Sequence, residues 1–394
     1  MKKKDCDILI VGGGLSGLLS AYALSLTNLK IIIIDAGDFD INKKYLSDLR
    51  TTAVAEGSKD FFEKIFIWQK IKKYAEPIKT IKVFDRTVKN KLFFENATKG
   101  KNLGYVIQNS IIRKTIINNL KIKKNITMLK KTSLLGLKNY PENISAFTKD
   151  CTISTRLLIA ADGKNSFVRS LSKTKKISKK YNHSAMVVNI DHTKDHKNTA
   201  HEIFLKSGPL AVLPMKPQSK KYYSSSIIWS NPKNMSSNLE TINPSLFKEI
   251  LEEKIMKYVG GINQISKIKF FPLNAHLNKK FYEERLVYVG DSAHSLHPIA
   301  GQGWNLGIRD IKNLQNIVND ALDLGLDHGS FHVCKKYNEK TFNDAYSLFQ
   351  ITDKLNFIFL KEQSFLKLIR GFGFNFIRKN KNLKKMITNY AMGI

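Results

Sequence analysis

The stretch Gly290-Asp-Ser-Ala-His-Ser-Leu-His-Pro-Ile-Ala-Gly-Gln-Gly-Trp-Asn-Leu-Gly-Ile-Arg-Asp310 follows the apolar run Leu286-Val-Tyr-Val289, which reads as a buried strand. A strand ending in Gly290-Asp291 sets a carboxylate at the carboxyl end of a sheet. Gly301 and Gly303 have no Cβ, so backbone there can come close to a flat ligand. From Trp304 to Asp310 the pattern is the start of a helix, whose free N–H groups favour a negative charge. A carboxylate for hydroxyls, bare backbone and a helix N-terminus together suit a planar cofactor carrying phosphate and hydroxyl groups. Asp291, His294 and His297 also have the spacing of metal ligands one turn apart. The flanking glycines fit backbone approach to a cofactor better, and no metal is expected.

The other end of the chain carries the partner motif. Asp7 to Val11 is a short apolar run, a parallel-strand pattern. Gly12-x-Gly14-x-x-Gly17 follows it, then a helical segment to Leu26, then a second strand, Ile31 to Ile34, ending at Asp35. This is a β-α-β unit with the glycine fingerprint of a dinucleotide site and an acid placed for a ribose. The fingerprint alone does not choose FAD from NAD. A further strand, Arg156 to Ala160, ends in Ala161-Asp162-Gly163, which on its own is simply a favoured turn. Arg50 is a candidate anion contact and equally a solvated loop arginine.

Composition narrows the class. The 394 residues hold 42% hydrophobic and 25% charged residues, which excludes wholesale disorder. The 65 basic against 33 acidic residues give a net charge of +32. Such a balance suits nucleic acid, an anionic membrane or an anionic ligand. The lysines are spread along the chain and no nucleic-acid-binding motif stands out, so compositional drift is the main reading and no nucleic-acid partner is expected. Cys6, Cys151 and Cys334 are far apart and fit a reducing compartment. Asp5, Asp7 and Gly12 to Gly14 interrupt any leader-like apolar run after the first lysines. The expected location is cytoplasmic, with a peripheral position at the inner face of a membrane as an extension of it.

Between the motifs the pattern changes. Residues 80 to 100 alternate and suggest strands, and Val106 to Leu120 reads as a helix. Ala185 to Ile190, Ala200 to Leu205, Leu210 to Leu213 and Ser224 to Trp229 alternate, predicting an antiparallel sheet. A helix is expected over 246–258. The last sixty residues read as helical, and from Lys361 to Ile394 they hold eight basic residues and one acid, Glu362. Most phenylalanines of this tail are expected to pack on the core. The alternative is an apolar face ringed by Lys and Arg, as on a helix lying on a membrane.

Together these motifs resemble the class A flavoprotein aromatic hydroxylases, and more narrowly the ubiquinone-biosynthesis ring hydroxylases. The resemblance runs through the glycine fingerprint, Ser47-Asp-Leu-Arg50-Thr-Thr-Ala, Gly104-Tyr-Val-Ile-Gln108, Leu158-Ile-Ala-Ala-Asp162-Gly-Lys-Asn-Ser-Phe-Val-Arg169, Ser207 to Pro214, the Trp229 strand, the Gly290 stretch and Ile351-Thr-Asp353. Asp35 stands where Glu is common in the family, and Ser292 where Ala is common. The resemblance implies an α/β fold: a Rossmann-like FAD-binding domain over 1–75, 101–180 and 283–345. An inserted antiparallel-sheet substrate domain would span 76–100 and 181–282, and a helical, basic, Phe-rich region 346–394. It implies that Gly12, Gly14, Gly17 and Asp35 hold the ADP half of FAD. Arg50 and Gln108 would contact the pyrophosphate and flavin, with Asp162 and Gly163 beside them. Gly290 and Asp291 would meet the ribityl or pyrophosphate part, and Pro298, Gly301, Gly303 and Asn305 the isoalloxazine.

It implies a monooxygenase that uses NAD(P)H as co-substrate and O2, through a flavin C4a-hydroperoxide, to hydroxylate a polyprenylated phenol. No residue is identified as a base for that phenol. Partners implied are the prenylated phenol, an anionic membrane surface and other quinone-biosynthesis enzymes. Two alternatives stay open. One is a related flavoprotein such as a prenyl-chain reductase or a halogenase, although Trp68, Trp229 and Trp304 are isolated. The other is a basic membrane- or nucleic-acid-binding scaffold without catalysis.

Overall fold

The computed structural model describes residues 2–39, 48–85, 90–96, 101–217, 219, 221–360 and 363–394. Ser47, Lys361 and Glu362, named above, lie outside the described residues.

The main sheet is built on runs too apolar to face water. Lys2–Val11 is its central strand, and Ile8, Leu9 and Ile10 are fully buried. It pairs in parallel with Ile31–Ile34 on one side and Cys151–Ala160 on the other. Ile31–Ile34 pairs onward with Ile126–Leu129, and Cys151–Ala160 with Leu286–Tyr288, both in parallel. Such a core is buried on both faces, which explains runs of Ile and Leu without alternation. Leu15–Leu24 and Gln302–Asp323 pack against each other and cover the sheet. Because Leu286–Tyr288 docks beside Cys151–Ala160, distant parts of the sequence meet at one sheet edge.

The second sheet holds the alternating strands. Its order runs from His294–Ser295 through Lys269–Asn278, Lys176–His192, Tyr223–Pro232, Gly208–Met215, Thr199–Leu205 and Thr80–Asp85 to Asn90–Glu95. One face is sealed: Met186, Val188, Ile203, Leu210, Ile227 and Trp229 pack under Pro244–Val259. A third, small sheet joins Thr51–Ala55, Gly104–Gln108 and Glu76–Ile78 and lies against the other face.

Three expectations need correction. Val106 to Gln108 is strand, and the helix is Asn109–Leu120, because Gly104–Gln108 is held between two antiparallel neighbours. The second sheet is mixed, since Thr199–Leu205 runs parallel to Thr80–Asp85. The tail phenylalanines do not mostly pack on the core. Phe359 stacks on Phe204 and Phe374 is buried, but Phe357, Phe365, Phe372 and Phe376 are exposed.

Candidate functional site

Four parallel strands end side by side, in the order Leu286–Tyr288, Cys151–Ala160, Lys2–Val11, Ile31–Ile34. Their carboxyl ends therefore present, in a row, Asp291, Asp162, the Gly12–Gly17 loop and Asp35. At the usual strand spacing the row spans roughly 14 Å. Ligands of open parallel sheets bind outside such ends.

The three fingerprint glycines do three different jobs. Gly12 has φ +112°, and a Cβ there would strike the Ala161 carbonyl. A Cβ on Gly17 would strike the Gly12 carbonyl, so this glycine lets the helix pack on the strand. A Cβ on Gly14 would meet nothing within 4 Å, which places open space next to the N-terminus of Leu15–Leu24. Asp35 is tied to this loop: its carboxylate accepts from Gly13 N–H at 2.5 Å and from Gly37 N–H at 2.7 Å. Each oxygen keeps a second lone pair for a ligand hydroxyl. Arg113, which the sequence reading did not single out, lies over the same loop and donates to the Gly13 and Asp38 carbonyls.

At the next strand end, Asp162 accepts from Val168 N–H at 3.0 Å through Oδ2, while its buried Oδ1 has no partner among the described residues. Gly163 opens onto free space. Beyond it, Gly290 donates its N–H to Asp310 at 3.0 Å, and the same carboxylate meets His294 Nε2 at 2.6 Å. His294 is thus a brace for the Gly290 turn. Asp291 projects into a crevice: it keeps solvent contact while protein crowds it, and this desolvation raises its carboxyl pKa against the pull of His294, Lys164 and Arg50.

Pro298 leads into a short turn that ends at Gly301, φ +60°, the residue before the Gln302–Asp323 helix. Gly303, in the first turn of that helix, faces open space. Asn305 does not. Its carbonyl accepts from Ala55 N–H and Ser58 Oγ at 2.9 Å each, and its amide donates to Ala53 O at 2.8 Å and Gly301 O at 3.3 Å. All four of its hydrogen-bonding positions are used. Asn305 therefore fixes the Thr51–Ala55 strand against the Gly301 turn and has nothing left to offer a ligand.

Arg50 forms a two-point pair with Asp48 and lies over the Phe271 ring at 5.4 Å, at the junction of the two sheets. Gln108 ends its strand just before the Asn109–Leu120 helix, opposite Thr51. Near the junction, Tyr181 meets His297 edge to face at 4.9 Å and donates to Asp353 at 2.9 Å. Burial pushes the His297 imidazole down to about 4. On the far side of Tyr181 a cavity of about 560 Å³ opens, lined also by Lys179, Asp353, Phe357, Ile358 and Leu360. No cluster of metal-ligating side chains occurs among the described residues.

The residues present fit FAD. Space beside Gly14, Gly163 and Gly303 is kept clear, acids sit at both ends of the row, and a buried carboxylate oxygen of Asp162 awaits a donor.

Comparison with known proteins agrees. A family model described as FAD binding domain matches residues 5–325. Over 391 residues the chain is 29% identical to ubiquinone hydroxylase UbiL of Rhodospirillum rubrum, covering 99% of this chain and 90% of that protein. It is 23% identical to 3-demethoxyubiquinol 3-hydroxylase of Escherichia coli, with all of both chains covered. In fold it is similar to the p-nitrophenol 4-monooxygenase PnpA of Pseudomonas putida DLL-E4, with a TM-score of 0.78 at 13% identity, covering 98% of this chain and 97% of that one.

Proposed function

The chain belongs to the FAD binding domain family, and from that premise we infer that it is a FAD-dependent monooxygenase hydroxylating the aromatic ring of a polyprenylated phenol in ubiquinone biosynthesis. NAD(P)H is the reductant and O2 the oxidant. The observation that carries the reading is the row of strand ends, Asp291, Asp162, glycine loop and Asp35, with clear space in front of it. The relatives named above, matched nearly end to end, support the ring-hydroxylation step.

When bound, FAD supplies the redox chemistry, accepting hydride and activating O2. The protein supplies the rest. Gly12, Gly14 and Gly17 bring backbone N–H groups to the pyrophosphate, and Asp35 holds a ribose hydroxyl. Asp162, Gly163, Gly290 and Asp291 serve the middle of the cofactor, with Arg50 and Gln108 alongside. Pro298, Gly301 and Gly303 border the ring system. With one dinucleotide fingerprint in the chain, NAD(P)H binds transiently on the same domain. The half-exposed face of the second sheet shields the reacting ring from water.

The cavity between Tyr181 and Phe357 is the place for the prenyl chain. It adjoins the Ser364–Lys379 helix, where Phe365, Leu368, Phe372 and Phe376 make an exposed apolar stripe at helical spacing. Lys367, Arg378 and Lys379 flank it. This helix lies on an anionic membrane and takes the substrate from it. No helix among the described residues is long and apolar enough to cross a membrane.

Purified protein is expected to bind FAD, turn yellow, and oxidise NAD(P)H with O2 uptake stimulated by a prenylated phenol, giving a product heavier by one oxygen atom. A protein that binds no FAD, or whose phenol-stimulated O2 uptake yields only peroxide, would sink the reading.

A further inference from the structure

The second sheet has one face sealed under a helix and one face that looks toward the cofactor domain. On that second face a row of side chains runs across the strands: Val187, Ile228, Ala211, Glu202, Val83, each opposite the next in the observed register. Ile228, Ala211, Glu202 and Val83 are all half-buried, whereas Ile227, Val212 and Ile203, on the opposite face, are fully buried. The row is therefore only partly covered by the elements packed around it. On one side of it, Ala200, Leu213 and Ile81 pack with Ala53 and Val106 of the cofactor domain. On the other side, Phe204 stacks on Phe359, and Asp85 pairs with Arg370 of the C-terminal helix at 2.9 Å. Asn189, also on this face, donates to the Leu49 carbonyl at 2.9 Å, beside Arg50. This partly covered strip lies between the contacts to the cofactor domain and those to the C-terminal helices.

Glu202 is the one acid of the row, which continues past Val187 to Lys269 at its far end. It has no hydrogen-bond or ion-pair partner among the described residues. Ala211 and Val83 flank it, and Ala200 and Phe204 lie above and below on its own strand. Charged groups sharing this face include Asp85, held by Arg370, and, at the Phe271 end of the sheet, Lys269 and Arg50, the latter held by Asp48. An isolated carboxylate on an apolar wall is costly unless something else uses it.

We propose that Glu202 is the catalytic base that accepts the hydroxyl proton of the phenol; this rests on the reading of the protein as an aromatic-ring hydroxylase. The substrate O–H bond breaks and an O–H bond forms on the Glu202 carboxylate. The electron pair left on the substrate oxygen spreads into the ring and makes its ortho and para carbons more nucleophilic. Oxygen transfer then draws on the NAD(P)H and O2 of the inferred reaction, and Glu202 returns its proton to solvent between turnovers. Burial, the sole cause acting on it, pushes this carboxyl up to about 7, where it is ionised enough to accept a proton and basic enough to hold one.

The test uses FAD-loaded enzyme and a 2-prenylphenol in detergent. Glu202→Gln is expected to lower kcat by about 10²-fold or more. FAD content should stay unchanged, and the limb of the kcat/KM profile near pH 7 should disappear. Glu202→Asp should restore part of the rate. A ring-fluorinated prenylphenol, already ionised at the assay pH, should narrow the gap between wild type and Glu202→Gln. If Glu202→Gln keeps wild-type kcat and the same pH limb, the proposal is overturned. It is also overturned if the pre-ionised phenol leaves the gap as wide as before. Should the glutamine variant not fold, a wild-type profile flat between pH 6 and 8 overturns it equally. A wild type that hydroxylates no phenol would instead remove the functional reading on which it rests.

Discussion

At the residue scale, Gly14 and Gly17 separate cofactor binding from folding within one motif. Gly14 has ordinary extended backbone and faces open space, so a side chain there fits the protein and collides only with a ligand. Gly14→Val is expected to keep its thermal midpoint and circular dichroism while its Kd for FAD rises at least about ten-fold, or about 1.4 kcal/mol. Gly17→Val meets the Gly12 carbonyl and should instead be poorly soluble or unfolded. Equal stability losses in both, with FAD binding retained in Gly14→Val, would contradict this division. Asn305 teaches the complementary lesson. Its place in a glycine-rich stretch suggests a ligand contact, yet four hydrogen bonds to neighbouring elements consume it. Sequence shows that a polar residue lies near a site, but only packing shows which way its amide is spent.

At the element scale, the parts legible in advance were those with local causes. The apolar runs ending in Gly-Asp or Asp-Gly announce parallel strands with acids at their ends, because burial on both faces leaves little choice of residue. What was not legible depends on neighbours distant in sequence. The Gly104–Gln108 strand has only five residues, and its identity comes from Thr51–Ala55 and Glu76–Ile78 pairing to it. Glu202 sits in an alternating strand, and nothing in the alternation says which face meets the cofactor domain. The tail helix shows the same limit. Its helical character and its phenylalanines were visible, but that Phe365 and Phe372 stay exposed depends on how the other described residues pack. Replacing both by Asp is expected to abolish co-sedimentation with vesicles of anionic lipid, with kcat on a short-chain, detergent-soluble phenol unchanged. Undiminished sedimentation would remove the helix from the membrane. Raised salt should weaken the wild-type interaction only in part, since the apolar stripe is insensitive to screening.

At the scale of the whole molecule, acid sensitivity follows from buried imidazoles. His192, His201 and His297 are held down to about 4 and His276 to about 3, each chiefly by burial. Below the unfolded value near 6.5 the unfolded chain binds protons that the native one refuses, so stability rises with pH across this window. The contribution is complete above about pH 6.5 and is lost as pH falls from there through the folded values. Each histidine adds a slope of up to about 1.4 kcal/mol per pH unit. Urea midpoints should drop clearly between pH 7 and pH 5, and equal midpoints would contradict the burial of neutral imidazoles.

The order of the main sheet has a consequence for how the protein comes into being. The glycine loop emerges from the ribosome first, but its neighbour Cys151–Ala160 follows much later, and Leu286–Tyr288 with the Gly301 turn comes last. At typical synthesis speeds the interval is on the order of tens of seconds. Through that time the central strand and the isoleucine run beside it have no complete sheet to join, and the cofactor has only half a cradle. During synthesis the nascent chain must be kept from aggregating without help from its own ligand, and FAD can contribute only after the last strand and the Gly301 turn have been made.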